Sequence, residues 1–487
     1  MERDDRLEKL SKLRDKGINP YPAKVERTHL ISEVLDNFEK FEKKANVVIL
    51  VGRLRSMRTH GNLSFANLED NSGQIQLAFS KKEVGDENYK DFIKLIDVAD
   101  FLEVSGTCFL THKEEKSIMV KSWKIISKAI LPLPEKWHGL KDEEEILRKR
   151  YLDILFNPEV KDLFVKKAKF WQATRNFLND CGFMEVETPV LESTTGGADA
   201  RPFMTHHNAL DLDVFLRISG GELWQKKLMV AGYEKVFEIG RIFRNEGMDA
   251  EHAQDYTQME FYWAYADYEK GMELVEAMYK YIAQETFGTL RFVIKGFEVD
   301  LSKKWERYDY VDLIKSKTGI NVLDTNLKEI EAKLKELKVE YNRKGFNITR
   351  AIDNLWKYCR KSITGPGFLI NVPIEISPLA KKLETNSRLV QRFQPIIAGS
   401  ELGNGYSELN DPIDQAERFT AQQELREGGD DEAQMFAYDF VEALEHGMPP
   451  TCGFGFSERL FSFLSDKTIR ESQIFPLMKP KRAEGEE

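Results

Sequence analysis

From Val236 the chain reads VFEIGRIF, then RNEGMDAEHAQDY, then TQMEFYWAY: two aromatic-rich apolar runs with polar residues interposed, joined by a loop carrying Gly, Asp and Asn. That pattern predicts two paired strands and a long hairpin connection. Arg244 and Glu246 stand two apart, so they are expected on one face of the first strand. Residues 453–464, GFGFSERLFSFL, read as a glycine-punctuated strand entering a helix with Arg459 at the junction. Between these segments ELGNGYSELND (401–411) sets Glu401 and Glu408 on either side of a glycine turn.

Elsewhere the periodicity separates a small β unit from a larger mixed one. Residues 47–127 alternate in short runs broken by Gly turns, with a helical interruption near 88–97, which predicts a five-stranded antiparallel barrel. Ahead of it Leu7, Leu10 and Leu13 recur at helical spacing among Lys9, Lys12, Arg14 and Lys16. Such a helix either touches a phosphate backbone or packs on its own domain with a solvated basic face. Two prolines and a charge run in ILPLPEKWHGLKDEEE mark a domain boundary, giving domains 1–140 and 141–487. Phe164, Ala168, Trp171 and Leu178 line up on a helix that Gly182 stops. The following MEVETPVL reads as an edge strand because of Pro189. A helix is expected over 271–285, a lysine-rich helical insertion around 311–365 with solvated charges, and a disordered tail from Lys479.

Composition narrows the class. With 487 residues and 41% hydrophobic content the chain has enough material for one large and one small core. Neither a membrane span nor a signal peptide is evident, so a cytoplasmic location is expected. Cys108, Cys181, Cys359 and Cys452 are scattered without C-x-x-C spacing, which argues for free thiols. A formal net charge of −10 argues against nucleic-acid binding by the chain as a whole, though it says nothing of local patches.

The candidate chemistry follows from residue types. An arginine such as Arg244 clamps a phosphate or carboxylate with its planar fork, and paired carboxylates among phosphate binders suggest Mg²⁺. Taken singly, each of these is more often a surface charge or an ion-pair partner. Together and in this order, FRNE, the two-carboxylate segment and the glycine strand ending in arginine resemble motifs 2 and 3 of class II aminoacyl-tRNA synthetases. GGADARPFMTHHNALDLDVFLRIS, FEIGRIFRNEG, MEFYWAYADY, ISPLAK and GNGYSELNDP narrow the resemblance to lysyl-tRNA synthetases of bacterial type, across nearly the whole chain.

The resemblance implies an α+β protein: an N-terminal OB-fold β-barrel, then a class II catalytic domain with a mainly antiparallel sheet flanked by helices. It implies ATP-dependent attachment of L-lysine to tRNA(Lys) through a lysyl-adenylate, with Mg²⁺ required and ATP as substrate. Arg244 would bridge the α-phosphate and the lysine carboxylate, and Arg459 would hold the γ-phosphate. Glu246 would accept from the adenine amino group, Tyr256 would stack on adenine, His252 would assist the phosphates, and Glu401 and Glu408 would hold Mg²⁺. Glu260 and Tyr262 would receive the lysine ammonium and Glu222 the α-amino group, with Gly197 and Asn410 lining that pocket. In the barrel, Arg58, Phe65 and Gln76 would contact the anticodon, the aromatic by stacking on an unpaired base. MEVETPVL would be motif 1, implying a homodimer around Pro189.

The chain departs from the family where H-N-P-E-F is usual, having His252, Ala253, Gln254, Asp255 and Tyr256, and where Ser457 and Glu458 precede Arg459. Rival readings are an aspartyl or asparaginyl synthetase, which needs a cation where this chain offers Glu260; a protein-modifying enzyme using lysyl-adenylate, which lacks the barrel; and a non-enzymatic RNA binder, which has no need of the intact arginines and glutamates. The absence of an evident nucleophile and base pair accords with catalysis by positioning and charge stabilisation.

Overall fold

The computed structural model describes residues 2–134 and 142–480, apart from 199, 248, 342, 344, 345 and 430–432. Two compact units divide the chain, Met1–Gly139 and Leu140–Glu487. The prolines expected to mark the boundary are described, while 135–141 and the tail residues 481–487 lie outside the described residues.

In the first unit β1 (Val47–His60), β2 (Leu63–Glu69), β3 (Gln74–Ser80), β4 (Phe101–Leu110) and β5 (Lys116–Ser127) close a barrel in the order β1-β2-β3-β5-β4. The barrel expected to be antiparallel is so except at closure, where β3 and β5 run parallel because the chain crosses over between them. Alternate residues such as Val48, Leu50, Ala66, Leu68, Ile75 and Leu77 point inward and are buried, as the period of two demands. The helix Asp86–Leu95 interrupts the strands between β3 and β4. Against the barrel unit packs the N-terminal helix, Glu2–Asp15, burying Leu10 and Leu13. Lys9 pairs with Asp97 at 2.5 Å and Lys16 with Asp91 at 2.6 Å. Lys9 and Lys16, with Arg6 on the Val98 and Ala129 carbonyls, are therefore engaged by their own unit.

The second unit is built on a nine-stranded sheet. Its centre runs Arg392–Ile397, Asn404–Ser407, Thr451–Ser457, Asp255–Ala264 and Lys235–Phe243, all antiparallel. Only the flanking pairs, Glu306–Asp309 with Gly367–Ile370 and Met184–Glu185 with Lys235–Phe243, are parallel. Strand alternation sends Phe237, Phe261, Phe454 and Phe456 into one core with the helices Pro158–Asp180 and Tyr268–Phe287. Val236, Tyr262 and Tyr406 go into a second core. Both faces of the sheet are thus covered, and Glu260 and Tyr262 share a face.

Three of the expectations for this unit need correction. The strand ends at Phe243, so Arg244 and Glu246 lie in the loop after it rather than on a shared strand face. Pro189 lies outside any strand, between Met184–Glu185 and Leu191–Glu192, because its ring removes the donor a ladder needs. On the helix Pro158–Asp180 the fully buried residues are Phe170, Ala173, Thr174 and Leu178, while Ala168 is exposed. That stripe is rotated because the aromatic ring of Phe170 outcompetes a methyl group for the core. The helical insertion expected around 311–365 is present as helices Tyr310–Thr318, Leu327–Glu336 and Ile348–Arg360, with none of its described charged side chains buried, and the last helix also buries Ala351, Ile352, Leu355, Trp356 and Cys359 in the second core. It is a structural wall as well as a charged surface.

Candidate active site

The central strands and the loops above them enclose a cavity of about 390 Å³ in the second unit. Arg244, His252, Tyr256, Glu401, Arg459, Gly197, Glu222, Glu260, Tyr262 and Glu408 all line it. Ten sequence-predicted residues from six segments therefore converge on one space. Two do not line it. Asn410 turns away: its side-chain amide donates to the Met448 carbonyl at 3.0 Å and its oxygen accepts from Lys381 Nζ at 2.6 Å. Glu246 stays half-buried in the loop, near enough for its charge to act on the Tyr256 hydroxyl.

One end of the cavity is acidic and dry. Glu222, Glu260 and Glu408 are 5%, 4% and 1% exposed. Glu260 Oε1 accepts from the Gly220 amide at 2.6 Å and from Gln258 Nε2 at 2.5 Å, and Oε2 accepts from the Tyr262 hydroxyl at 3.2 Å. Burial, with Glu222 beside it, still pushes the Glu260 carboxyl up to about 7. Burial likewise pushes Glu408 up to about 8, although the Lys226 ammonium opposes the shift. Space for these acids comes from glycine: a Cβ at position 453 would stand 2.1 Å from Glu408 Oε1, and one at 455 would stand 2.8 Å from Glu260 Cγ. At position 197 a Cβ would meet Ser219 Oγ at 2.6 Å and Glu222 Cβ at 2.8 Å.

Lys226 is the residue that sequence reading passed over. It is 1% exposed, and its Nζ lies 2.7 Å from Glu222 and 2.6 Å from Glu408. Its ammonium is raised above the ordinary lysine range: burial alone lowers it, but the two carboxylates outweigh burial. Tyr406 donates its hydroxyl to Glu222 Oε1. In the sequence Glu222 and Lys226 are simply an i,i+4 pair, which usually marks an exposed helix face. Gln258 was more legible, since it stands two residues before Glu260 on the same strand face.

The other end is mixed in charge. Arg244 donates through Nε to the Ile218 carbonyl at 3.2 Å, and its guanidinium sits 5.8 Å from the centre of the Tyr256 ring. Arg459 donates to Ser400 Oγ at 3.1 Å and to Glu251, a cavity-lining carboxylate that also pairs with Lys295 at 2.5 Å. His252 Nδ1 lies 2.8 Å from Asp249 Oδ2. Glu401 accepts from the Trp356 indole and faces Arg360 at 3.9 Å. The two carboxylates expected to share a cation thus have different environments, Glu401 half-buried and Glu408 clamped by Lys226. No group of three or more His, Cys, Asp or Glu side chains placed to hold a metal occurs among the described residues.

On the barrel, Arg58 and Phe65 are direct cross-strand partners on β1 and β2, and Gln76 on β3 pairs with Asn67, two residues from Phe65. The register puts all three on one outward face, with Arg58 exposed and Phe65 half-buried. Gln76 Oε1 accepts from Ser117 Oγ at 2.9 Å, so its amide nitrogen points elsewhere.

Comparison with known proteins agrees with this layout. The family described as tRNA synthetases class II (D, K and N) matches residues 142–479, and the OB-fold nucleic acid binding domain matches 48–126. A lysine–tRNA ligase of Thermoanaerobacter sp. (strain X514) is 46% identical over 483 residues, covering 98% of this chain and 95% of that protein. The lysine–tRNA ligase of Carboxydothermus hydrogenoformans is 43% identical over 480 residues, 98% of this chain and 97% of its own length. That of Thermotoga maritima is 42% identical over 491 residues, covering 100% and 97%.

Proposed function

The chain belongs to the class II tRNA synthetases of the D, K and N group, and within that family we propose that it attaches L-lysine to tRNA(Lys) through a lysyl-adenylate. The observation that carries the choice of lysine is the acidic end of the cavity. Three buried carboxylates, Glu222, Glu260 and Glu408, face a single buried ammonium, Lys226. Buried carboxyls in excess of their cation ionise fully only when a further cation joins them, and an aspartate or asparagine side chain supplies none. Lysine-named relatives across the full length support the same reading.

In the first step a lysine carboxylate oxygen bonds to the α-phosphorus of ATP and the pyrophosphate oxygen leaves with its electron pair. In the second, the terminal adenosine hydroxyl of tRNA attacks the activated carbonyl, loses its proton, and AMP departs. Glu260 and Tyr262 receive the side-chain ammonium, Glu222 the α-amino group, and Arg244 the carboxylate and α-phosphate between which charge develops. Tyr256 offers its ring to adenine, Glu246 an acceptor beside it, and His252 and Arg459 bind the phosphate chain. Gly197 leaves room over Glu222, while Asn410, held by Lys381 and the Met448 carbonyl, stands outside the cavity.

Hard oxygen donors in a phosphate site fit Mg²⁺. Glu401, half-buried at the cavity wall, would hold the ion, joined by Glu408 if its carboxylate shares itself between metal and Lys226. Bound there, Mg²⁺ would neutralise phosphate charge. The barrel face of Arg58, Phe65 and Gln76 would take the anticodon. Met184, Val190 and Leu191, exposed apolar side chains around Pro189, support a homodimer at motif 1. No helix among the described residues is long and apolar enough to cross a membrane, and a cytoplasmic setting accords with the reading.

Amino-acid-dependent exchange of pyrophosphate into ATP tests the reading across lysine, ornithine, aspartate and asparagine. Exchange with lysine and none with aspartate or asparagine is expected. Activation of aspartate in its place overturns it.

A further inference from the structure

Inside the acidic end of the cavity one positive charge is already installed. Lys226 leaves the helix Glu222–Val230 and ends between Glu222 Oε1 at 2.7 Å and Glu408 Oε2 at 2.6 Å. The rings of Tyr406 at 5.4 Å, Phe440 at 5.7 Å and Tyr262 at 6.0 Å surround its ammonium. It is too buried to meet water and is not among the residues that face the cavity. Its charge therefore acts through the two carboxylates it touches.

With all three ionised, three carboxylates against this one ammonium would leave two uncompensated negative charges, an excess that burial relieves by raising the Glu260 and Glu408 carboxyls until a cation arrives. A lysine substrate brings two ammonium groups and one carboxylate, the last of which goes to Arg244 under the proposed function. We propose that Lys226 is a positioning residue for the amino-acid pocket: its fixed ammonium aims Glu222 and Glu408 and sets the pocket's charge to match a diammonium ligand. The inference rests on lysine being the substrate.

Other charges near this cluster do not substitute for Lys226. On its own helix Lys227 is turned outward to Asp439 at 2.5 Å. Arg217 is engaged by Glu238, a carboxylate whose charge also acts on Glu260. Arg392, paired with Tyr406 across the ladder, donates to Asn404 Oδ1 at 2.7 Å and to the Ile376 carbonyl at 2.8 Å. On the strand Thr451–Ser457 the nearby titratable group is Cys452, whose thiol burial holds well above its usual range, so it stays neutral. The Tyr262 and Tyr406 phenols are likewise held neutral by burial. Removing Lys226 thus takes away the one cation in contact with both Glu222 and Glu408 among the described residues.

The test uses full-length enzyme and lysine-dependent pyrophosphate exchange at varied lysine and at varied ATP. Wild-type enzyme must first activate lysine; if it does not, the functional reading fails and the inference about Lys226 is not what failed. Given an active wild type, Lys226→Met should raise the lysine KM with little change in the ATP KM. Equal rises in both KM values, or a fall in kcat with both KM values in place, mark a packing role and overturn the proposal. Lys226→Arg keeps the charge while changing the shape, and covers the case in which the methionine variant does not fold. Its lysine KM should stay near that of wild type, and a rise as large as the neutral methionine gives is the contrary result.

Discussion

Arg459 and Glu251 meet across the cavity, the arginine donating to the glutamate although 208 positions separate them in the chain. The guanidinium proposed to bind the γ-phosphate is thus engaged by a carboxylate of the loop that carries Arg244 and His252. Lys295 and Ser400 hold the same carboxylate. Charge on Arg459 and Lys295 keeps the Glu251 carboxyl below its usual range in spite of burial, so it remains an anion and an effective competitor.

Glu251→Gln should therefore free Arg459 for phosphate. Partly exposed ion pairs of this kind are worth about 0.2 to 1 kcal/mol, which sets the fall in ATP KM at roughly 1.4-fold to fivefold. Pyrophosphate exchange against ATP concentration at saturating lysine reads it. A raised ATP KM would mean that Glu251 assists the nucleotide instead of displacing it.

Glu260→Gln removes the buried anion proposed to receive the lysine side chain. Truncating one partner of a buried charge pair costs about 2 to 5 kcal/mol, so the lysine KM should rise by roughly 30-fold to a few thousandfold. Steady-state exchange at varied lysine measures this. An unchanged lysine dependence takes Glu260 out of the pocket.

The raised carboxyls predict a pH dependence with a definite sign. Glu260 at about 7 and Glu408 at about 8 lie above the ordinary value of 4.5, so the folded protein favours their protonated forms. Their contribution to stability is present in full below about 4.5 and is lost as pH rises through about 7 and 8. A bound ammonium reverses this by favouring the anions. Lysine should raise the thermal midpoint more at about pH 8.5 than at about pH 6, which differential scanning fluorimetry with and without lysine resolves. Equal shifts at both values contradict the assignment.

On the barrel, Phe65→Ala should weaken tRNA binding without touching adenylate formation. Base stacking on an aromatic ring is worth about 1 to 3 kcal/mol, so affinity should fall roughly fivefold to 150-fold at fixed salt. Filter binding of tRNA(Lys), alongside pyrophosphate exchange as an internal control, separates the two effects. Unaltered tRNA affinity would return Phe65 to a packing role.

Much of this molecule was legible along the chain. The barrel followed from alternation between residues 47 and 127, and the paired strands around 236–265 from two apolar runs and a polar loop, because short-range patterns of burial are what strand pairing selects. Arg244, Glu260, Glu401 and Arg459 were picked out by the resemblance of their motifs to a family, and the fold brings all four to one cavity. The chain alone did not reveal which charges are dry. Lys226 looks like any i,i+4 partner of Glu222 until the strand Asn404–Ser407 brings Tyr406 and Glu408 over it. Asn410 looks like a pocket residue until Lys381 and Met448 turn it away. Burial and the sum of neighbouring charges depend on segments hundreds of residues apart, so tertiary packing alone decided that the acids of this cavity exceed their buried cation.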